Sequence, residues 1–474
     1  MAPEVSFTSF KNIVNGGFRD AKEHTYGHNP ATGEQLWDVP VATKQDVDDA
    51  VQAARTAFKS WRKTTLAERK KTVGAVLDVY KRHFREFGDL LLKENGKPTV
   101  FADGEAKIII DQFEFYLDLK LDDEVIELKD RTCIKRWVPV GVVAAILPWN
   151  FPLANVGGKM IPALLAGNAI IIKPSPFTPY SALKFVEIAQ QVLPPGLVQV
   201  LAGDDRLGPW LTHHPDVGKI AFTGSVASGK KVMEAASKTL KRVILELGGN
   251  DASIVCPDID VDEVAPKLVR GAFFNSGQVC ATVKRVYVHQ DIYDKFLAAA
   301  VKAVNAVKWG DPLGADVFLG PTQNSMQFTK VKDIYDDVKD KGYKVAVGGN
   351  IAPGNGLYAE PSLIDNPPND ARIVTEEQFA PMLPIQVWSD EEEVIERAND
   401  SKMGLGGNVW SKDETRARRI AESLEAGSVF INGVEMLTNH APYGGIKESG
   451  IGLEGGPDAI KGYCDVQVLH TNIR

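Results

Sequence analysis

Apolar residues between Thr43 and about Glu94 recur at three- and four-residue steps. Ala50, Ala53, Ala54, Ala57, Phe58 and Trp61 lie on one face, and Asp46, Asp48 and Asp49 fall in the first turn, which predicts helix. Residues 105–119 continue in helical style. From Val142 onward the pattern changes to regular alternation. The strand-like runs are Val142–Ile146, Ala169–Ile172, Val198–Leu201, Lys219–Phe222 and Val243–Leu245, with helix-like runs such as Ser181–Val192 and Ser225–Leu240 between them. A second series follows: Ala252–Val255, a helix over Val261–Phe274, Arg285–His289, Tyr293–Val307, Gln323–Lys341 and a closing Gly427–Asn432. Strands alternating with helices imply parallel sheets covered on both faces, an α/β fold.

Two stretches fall outside that alternation. Thr132-Cys-Ile-Lys-Arg-Trp-Val138 reads as a strand of mixed faces with no neighbour, and the C-terminal Tyr463–Leu469 has the style of a partner for it. Residues 1–45 are turn-rich around Asn29-Pro-Ala-Thr-Gly33. No internal repeat or low-complexity linker interrupts the 474 residues, so two or three tightly packed domains are expected.

A net charge of −8 argues against a nucleic-acid or anionic-membrane partner. The longest apolar runs are too short to span a bilayer, and the N-terminus carries no secretory pattern. The four cysteines, Cys133, Cys256, Cys280 and Cys464, are far apart and form no CxxC pair. No metal site or disulfide framework is expected, and a reducing, cytoplasmic setting is.

Candidate chemistry gathers at strand ends and one loop. Cys280 sits in Gly271-Ala-Phe-Phe-Asn-Ser-Gly-Gln-Val-Cys280, after a predicted helix and before a predicted strand. A thiol there can meet a ligand, although a free cysteine is as often a small buried apolar group. Asn150, in the rigid turn Pro148-Trp-Asn-Phe-Pro152, offers an amide donor or merely bonds its own turn. Lys173 ends a strand, either to bind a ribose or phosphate or to be solvated. Phe222-Thr-Gly-Ser-Val-Ala-Ser-Gly229 is strand, turn and helix start, suited to a pyrophosphate without matching a known nucleotide motif. Glu246, before Gly248 and Gly249, is a general base or a surface acid, and the Glu376–Pro381 segment is similarly ambiguous. Together, a thiol, an amide donor, a carboxylate and a nucleotide loop suit oxidation through a covalent thioester.

With these residues assembled, the chain resembles the aldehyde dehydrogenase superfamily over nearly its whole length. The matching stretches, in the family's order, are Pro148–Pro152, Lys173-Pro-Ser175, Phe222–Ser225, Glu246–Gly249, Phe274–Cys280, Glu377–Pro381 and Pro442-Tyr-Gly-Gly445 with Lys447 and Ser449-Gly450. The resemblance implies a Rossmann-like cofactor domain (residues 1–120 and 140–248), an α/β catalytic domain (249–448) and a small β oligomerisation arm (121–139 and 449–474) in a homodimer or homotetramer. It implies NAD(P)-dependent oxidation of an aldehyde to a carboxylic acid. Cys280 would be the nucleophile, Asn150 an oxyanion donor and Glu246 the base for hydrolysis. Trp149, Lys173, Ser175, Gly224, Ser225, Leu247, Gly248, Glu377 and Phe379 would face NAD or NADP. Phe151, Asn155, Gly158, Phe274, Leu437 and Tyr443 would line the substrate pocket.

Departures from the family refine this. Pro176 stands three residues after Lys173, where many NAD-preferring members carry a Glu that would repel a 2′-phosphate, so NADP use is plausible. Asn155, Gly158 and Leu437 stand where large or aromatic residues are common, which suggests a widened tunnel for bulky or aromatic aldehydes. No Arg lies between Asn432 and Tyr443, which disfavours a carboxylate-bearing semialdehyde. A semialdehyde dehydrogenase, or a protein that keeps the fold without turnover, is the alternative.

Overall fold

Five of the expected strands run parallel in one sheet of a computed structural model that describes residues 5–434 and 437–472. In spatial order they are Val198–Val200, Ala169–Lys173, Val142–Ile146, Lys219–Thr223 and Arg242–Glu246. The chain begins this array in the middle and builds outward to both sides, so the order reverses between Val142–Ile146 and Lys219–Thr223. Open α/β sheets bind ligands beyond the carboxyl ends of the strands at such a switch point. Every residue of Val142–Ile146 and Ala169–Lys173 is buried, as strands covered on both faces require. Asn12–Val14 and Gly17–Arg19 extend one edge antiparallel, and Gly450–Ile451 the other.

The long helical stretch is three helices, Lys44–Trp61, Leu66–Lys81 and Phe84–Asn95, rather than one. The break after Trp61 is written in the caps. Thr43 with Asp46, and Thr65 with Glu68, each form a reciprocal capping box, and a capping box starts a helix. Thr99–Asp118 follows as a fourth. The helix expected over 225–240 is Val226–Ser237, capped by Ser225 and stopped before Leu240, whose φ is 52°.

The second sheet runs in the order Lys344–Val347, Ser362–Asp365, Met382–Trp388, Val283–His289, Asp251–Val255, Gly406–Trp410 and Ser428–Ile431, parallel except for its first strand. The strand without an obvious neighbour has one: Arg131–Pro139 pairs antiparallel along its whole length with Cys464–Asn472, and Glu124–Glu127 lies on its other side. Among the described residues no helix is long and apolar enough to cross a membrane. Met1–Glu4 of the N-terminus read above for a secretory pattern, Ile473 and Arg474, and Glu435 and Met436 of the Asn432–Tyr443 stretch lie outside the described residues.

Candidate active site

The helix expected to reach Phe274 stops at Ala272, and the reason lies in the next residues. Asn275, Ser276 and Gly277 all have positive φ (51°, 57° and 72°), which a right-handed helix cannot accommodate. The reversal turns the chain back toward the first sheet. Gly277 is required there, because a Cβ would lie 2.2 Å from the Ala380 carbonyl oxygen. Gln278 locks the turn: its amide donates to Asn275 O at 3.1 Å and its Oε1 accepts from Gln323 N at 2.8 Å. Cys280 follows, partly open to solvent.

Lys284 holds the loop from beneath. It is 2% exposed, and its ammonium donates to the carbonyls of Val279, Cys280 and Thr282 at 2.7, 3.1 and 2.9 Å. Sequence reading missed it. A Lys in a strand looks solvated until three carbonyls are known to converge on it.

Glu246 is 5% exposed at the end of its strand, so the surface-acid alternative does not hold. The paired glycines after it let three segments meet. A Cβ on Gly248 would lie 2.4 Å from Glu377 Oε2, and one on Gly249 would lie 2.6 Å from Cys280 O. Gly249 N donates to Glu377 Oε1 at 3.0 Å. Burial raises the Glu377 carboxyl above its usual range.

Asn150 does not bond its own turn. Its amide donates across to Gln278 O at 3.0 Å, which fixes the group against the Cys280 loop and leaves its second N–H available. The turn itself is held by residues the sequence did not flag. Asn95 donates to Trp149 O at 2.7 Å, and buried Glu105 accepts from Leu153 N (2.9 Å) and Ala154 N (3.1 Å) at the start of helix Pro152–Ala166. Lys97 neutralises Glu105, with its ammonium 3.6 Å from the Phe151 ring centroid. A carboxylate on orphan N–H groups at a helix start is stabilising.

The switch point brings the expected cofactor residues together. Gly224 and Ser225 lead into the helix Val226–Ser237, where Ser225 Oγ accepts from Ser228 N at 3.3 Å; Gly224 N donates to Glu246 O at 3.0 Å, so an anion would meet the N–H groups of the first helical turn. Leu247 packs on Gly229, where a Cβ would lie 2.5 Å from it. Lys173 is buried rather than solvated. It donates to Pro174 O at 3.0 Å and keeps further N–H groups to offer a hydroxyl, and burial lowers its pKa to about 8. Ser175 is buried beside it. Trp149 and Phe379 meet edge to face at 5.3 Å.

On the other side of Cys280, Phe151 and Phe274 stack at 6.3 Å. Asn155 folds its amide back to Phe151 O at 2.9 Å, and a Cβ on Gly158 would meet Gln112 at 3.3 Å, so Gln112 fills part of the space that Gly158 leaves. Leu437 is exposed. Tyr443, expected only as a wall, reaches further in. Its hydroxyl donates to Glu246 Oε1 at 3.0 Å and lies 3.5 Å from Cys280 Sγ. Burial first, and then the neighbouring carboxylate, push the Cys280 thiol well above its ordinary range, while burial raises Glu246 to about 7. A neutral thiol beside a carboxyl poised near neutrality can exchange a proton with it.

The chain is similar to known proteins over nearly its whole length. The profile of the aldehyde dehydrogenase family matches residues 18–469. The chain is 38% identical to aldehyde dehydrogenase LUC3 of Fusarium sp. over 98% of its own length and 99% of that protein. It superposes on the NAD+ complex of aldehyde dehydrogenase from Bacillus cereus with a TM-score of 0.95 at 35% identity, covering 98% of this chain and 97% of that one. An E. coli NADP-dependent enzyme gives a TM-score of 0.96 at 33% identity, with 98% and 99% covered. A match over nearly the whole length, in sequence and in structure, places this chain in the aldehyde dehydrogenase family.

Proposed function

We propose that the protein oxidises an aldehyde to a carboxylic acid through a covalent intermediate on Cys280. The observation that carries this is the convergence of the Cys280 thiol, the Tyr443 hydroxyl and the buried Glu246 carboxylate, with the Asn150 amide bonded to the same loop. The thiol yields its proton to Glu246, and sulfur adds to the carbonyl carbon to give a thiohemiacetal. The second Asn150 N–H and the Cys280 backbone N–H are the donors for the oxyanion. A bound NAD or NADP supplies the acceptor for the hydride lost as the thiohemiacetal becomes a thioester. Glu246 as carboxylate then takes a proton from water, which attacks the thioester and frees Cys280. Acyl transfer to coenzyme A would not need that base, so Glu246 favours the free acid as product.

The residues present fit a nicotinamide dinucleotide. The helix start at Gly224 and Ser225 suits its pyrophosphate, Lys173 and Ser175 its adenosine end, and the Glu377 carboxyl the hydroxyls of the other ribose, with Leu247, Gly248, Trp149 and Phe379 around it. The similar structures include an NAD+ complex and an NADP-dependent enzyme. Pro176 supplies no carboxylate against a 2′-phosphate, so we propose that both cofactors are accepted. Asn155 and Leu437 leave room for a bulky or aromatic aldehyde. The three-stranded sheet of 124–127, 131–139 and 464–472 leaves Val466, Val468 and Leu469 exposed along one edge, and we assign it to the contact between copies in a homodimer or homotetramer. As domain limits we propose 1–120 and 140–248 for the cofactor-binding unit, 249–448 for the catalytic unit, and 121–139 with 449–474 for the arm, whose strand Gly450–Ile451 reaches back to the edge of the first sheet. Four unpaired cysteines suit a reducing, cytoplasmic location.

Mass spectrometry of the Cys280 peptide, quenched in the first turnovers with an aromatic aldehyde and either cofactor, tests the intermediate. An acyl adduct on Cys280 supports the reading, and product acid formed with no Cys280 adduct in wild type or in Glu246→Gln contradicts it.

A further inference from the structure

We propose that Tyr443 is itself a catalytic residue, whose hydroxyl carries the proton between Cys280 and Glu246 and then holds the thiolate. This deepens the reading of Cys280 as nucleophile and rests on it.

The position of the hydroxyl is built rather than incidental. Tyr443 pairs antiparallel with Glu454, and Glu454 is anchored by the buried ammonium of Lys159 at 2.5 Å. Lys159 in turn donates to Thr223 Oγ1 at 2.8 Å, at the end of the strand that leads into Gly224. The phenol is thereby fixed between a sulfur at 3.5 Å and a carboxylate oxygen at 3.0 Å. A phenylalanine would fill the same wall without bridging them.

One hydroxyl has one proton and two acceptor lone pairs. In the resting site that proton stays on Tyr443 Oη and is donated in a hydrogen bond to the Glu246 carboxylate at Oε1, and an Oη lone pair faces the thiol. On activation the Cys280 S–H bond breaks and its proton bonds to Tyr443 Oη. The phenol's own proton passes to Glu246 Oε1, the O–H bond to tyrosine is renewed, and sulfur keeps the electron pair as thiolate. Tyrosine ends unchanged and now donates to sulfur. Glu246 ends as the acid and must lose its proton to solvent before it can activate water.

The charged and titratable groups facing this trio are few. Asp251 and the two partners act on Tyr443, Lys284 acts on Cys280, and Lys159 and Glu454 act on Glu246. Burial holds the phenol well above its ordinary range, so it relays a proton without ionising.

The test is Tyr443→Phe, which keeps the ring, read by two pH profiles. The first is alkylation of Cys280 by iodoacetamide in the absence of aldehyde. The second is kcat with aldehyde and cofactor, whose limb near pH 7 reports Glu246. Losing one hydrogen bond to each anion should move both midpoints upward by about one pH unit and lower both rates about tenfold at pH 7. A packing role for Tyr443 moves neither midpoint. Unmoved midpoints, or a shift in one profile alone, overturn the relay while leaving the dehydrogenase reading intact. Wild-type protein whose Cys280 is inert to iodoacetamide at every pH, and which turns over no aldehyde, removes the reading on which the relay rests.

Discussion

Lys284 Nζ donates to the Cys280 carbonyl at 3.1 Å, within a set of three such bonds that make a buried cation the floor of the nucleophile loop. Lys284→Met keeps the length of the side chain and removes the donors. Three buried carbonyls then lose their partner, and Asp251 and Glu377 lose the cation that favours their ionised forms. Urea unfolding should show a loss of about 2–4 kcal/mol, with kcat reduced more than KM is raised, because the loop drifts from its geometry. An unchanged midpoint would mean that the carbonyls find other donors.

Gly249→Ala is expected to spare the fold and cripple the site. Its Cβ would lie 2.5 Å from Asp251 Oδ1 and 2.6 Å from Cys280 O, both backed by buried structure. Either the cysteine loop or the Glu246 strand end must retreat. A displacement of even about 1 Å at a reacting centre costs on the order of a hundredfold in rate. Circular dichroism near wild type together with kcat/KM lowered to that degree is the result to look for.

The raised carboxyl of Glu246 has opposite consequences for activity and stability. Its folded value, about 7, lies above the ordinary carboxylate value of 4.5, so the folded state binds the extra proton between those limits. Its contribution to stability is therefore full below about pH 4.5 and is lost as pH rises to about 7. Activity runs the other way, since only the carboxylate can activate water, and deacylation-limited turnover should rise through about pH 7. Glu246→Gln should raise the thermal midpoint relative to wild type at pH 8, change it little at pH 5, and abolish steady-state turnover. By the size of the shift, from 4.5 to about 7, the gain at pH 8 is on the order of 3 kcal/mol. A variant no more stable than wild type at pH 8 would show that burial does not strain this group.

Pro176→Glu should turn the protein toward NAD. A carboxylate three residues beyond Lys173 would sit near the adenosine end of the cofactor, where like charge against a 2′-phosphate is penalised by a few kcal/mol. The ratio of kcat/KM for NADP to that for NAD should fall at least about tenfold, most of the loss appearing in the NADP constant. Equal ratios in the two proteins would place the discriminating group elsewhere.

The sheet strands were legible because central parallel strands are near-continuous apolar runs, and Val142–Ile146 announces itself by composition alone. The helix Val261–Ala272 was legible by period, but its end was not. Phe274 fits the apolar face, and only the left-handed run Asn275–Gly277 shows that the chain has already turned. Cys280, Glu246 and Asn150 could be chosen because their residue types and strand-end positions suit one chemistry. The supports behind them, Lys284, Glu105 and Asn95, carry no local signal. Glu105 and Asn95 act on backbone groups far away in sequence, and Lys284 on carbonyls of the loop just before it that converge only because the loop is folded; the polarity of all three reads as ordinary surface until the partners are known. Tyr443 was placed on the wall and not in the relay because a hydroxyl's direction depends on the register of two short strands, 442–443 with 454–455, which periodicity does not resolve.

The most direct test of the central claim is reduction of nicotinamide cofactor by the purified protein, with NAD and NADP in parallel, against short aliphatic, long aliphatic and aromatic aldehydes, repeated with Cys280→Ser. Aldehyde-dependent NADH or NADPH formation that disappears in the variant, while cofactor binding is kept, is the predicted result. Turnover that survives in Cys280→Ser would contradict a covalent route through this thiol.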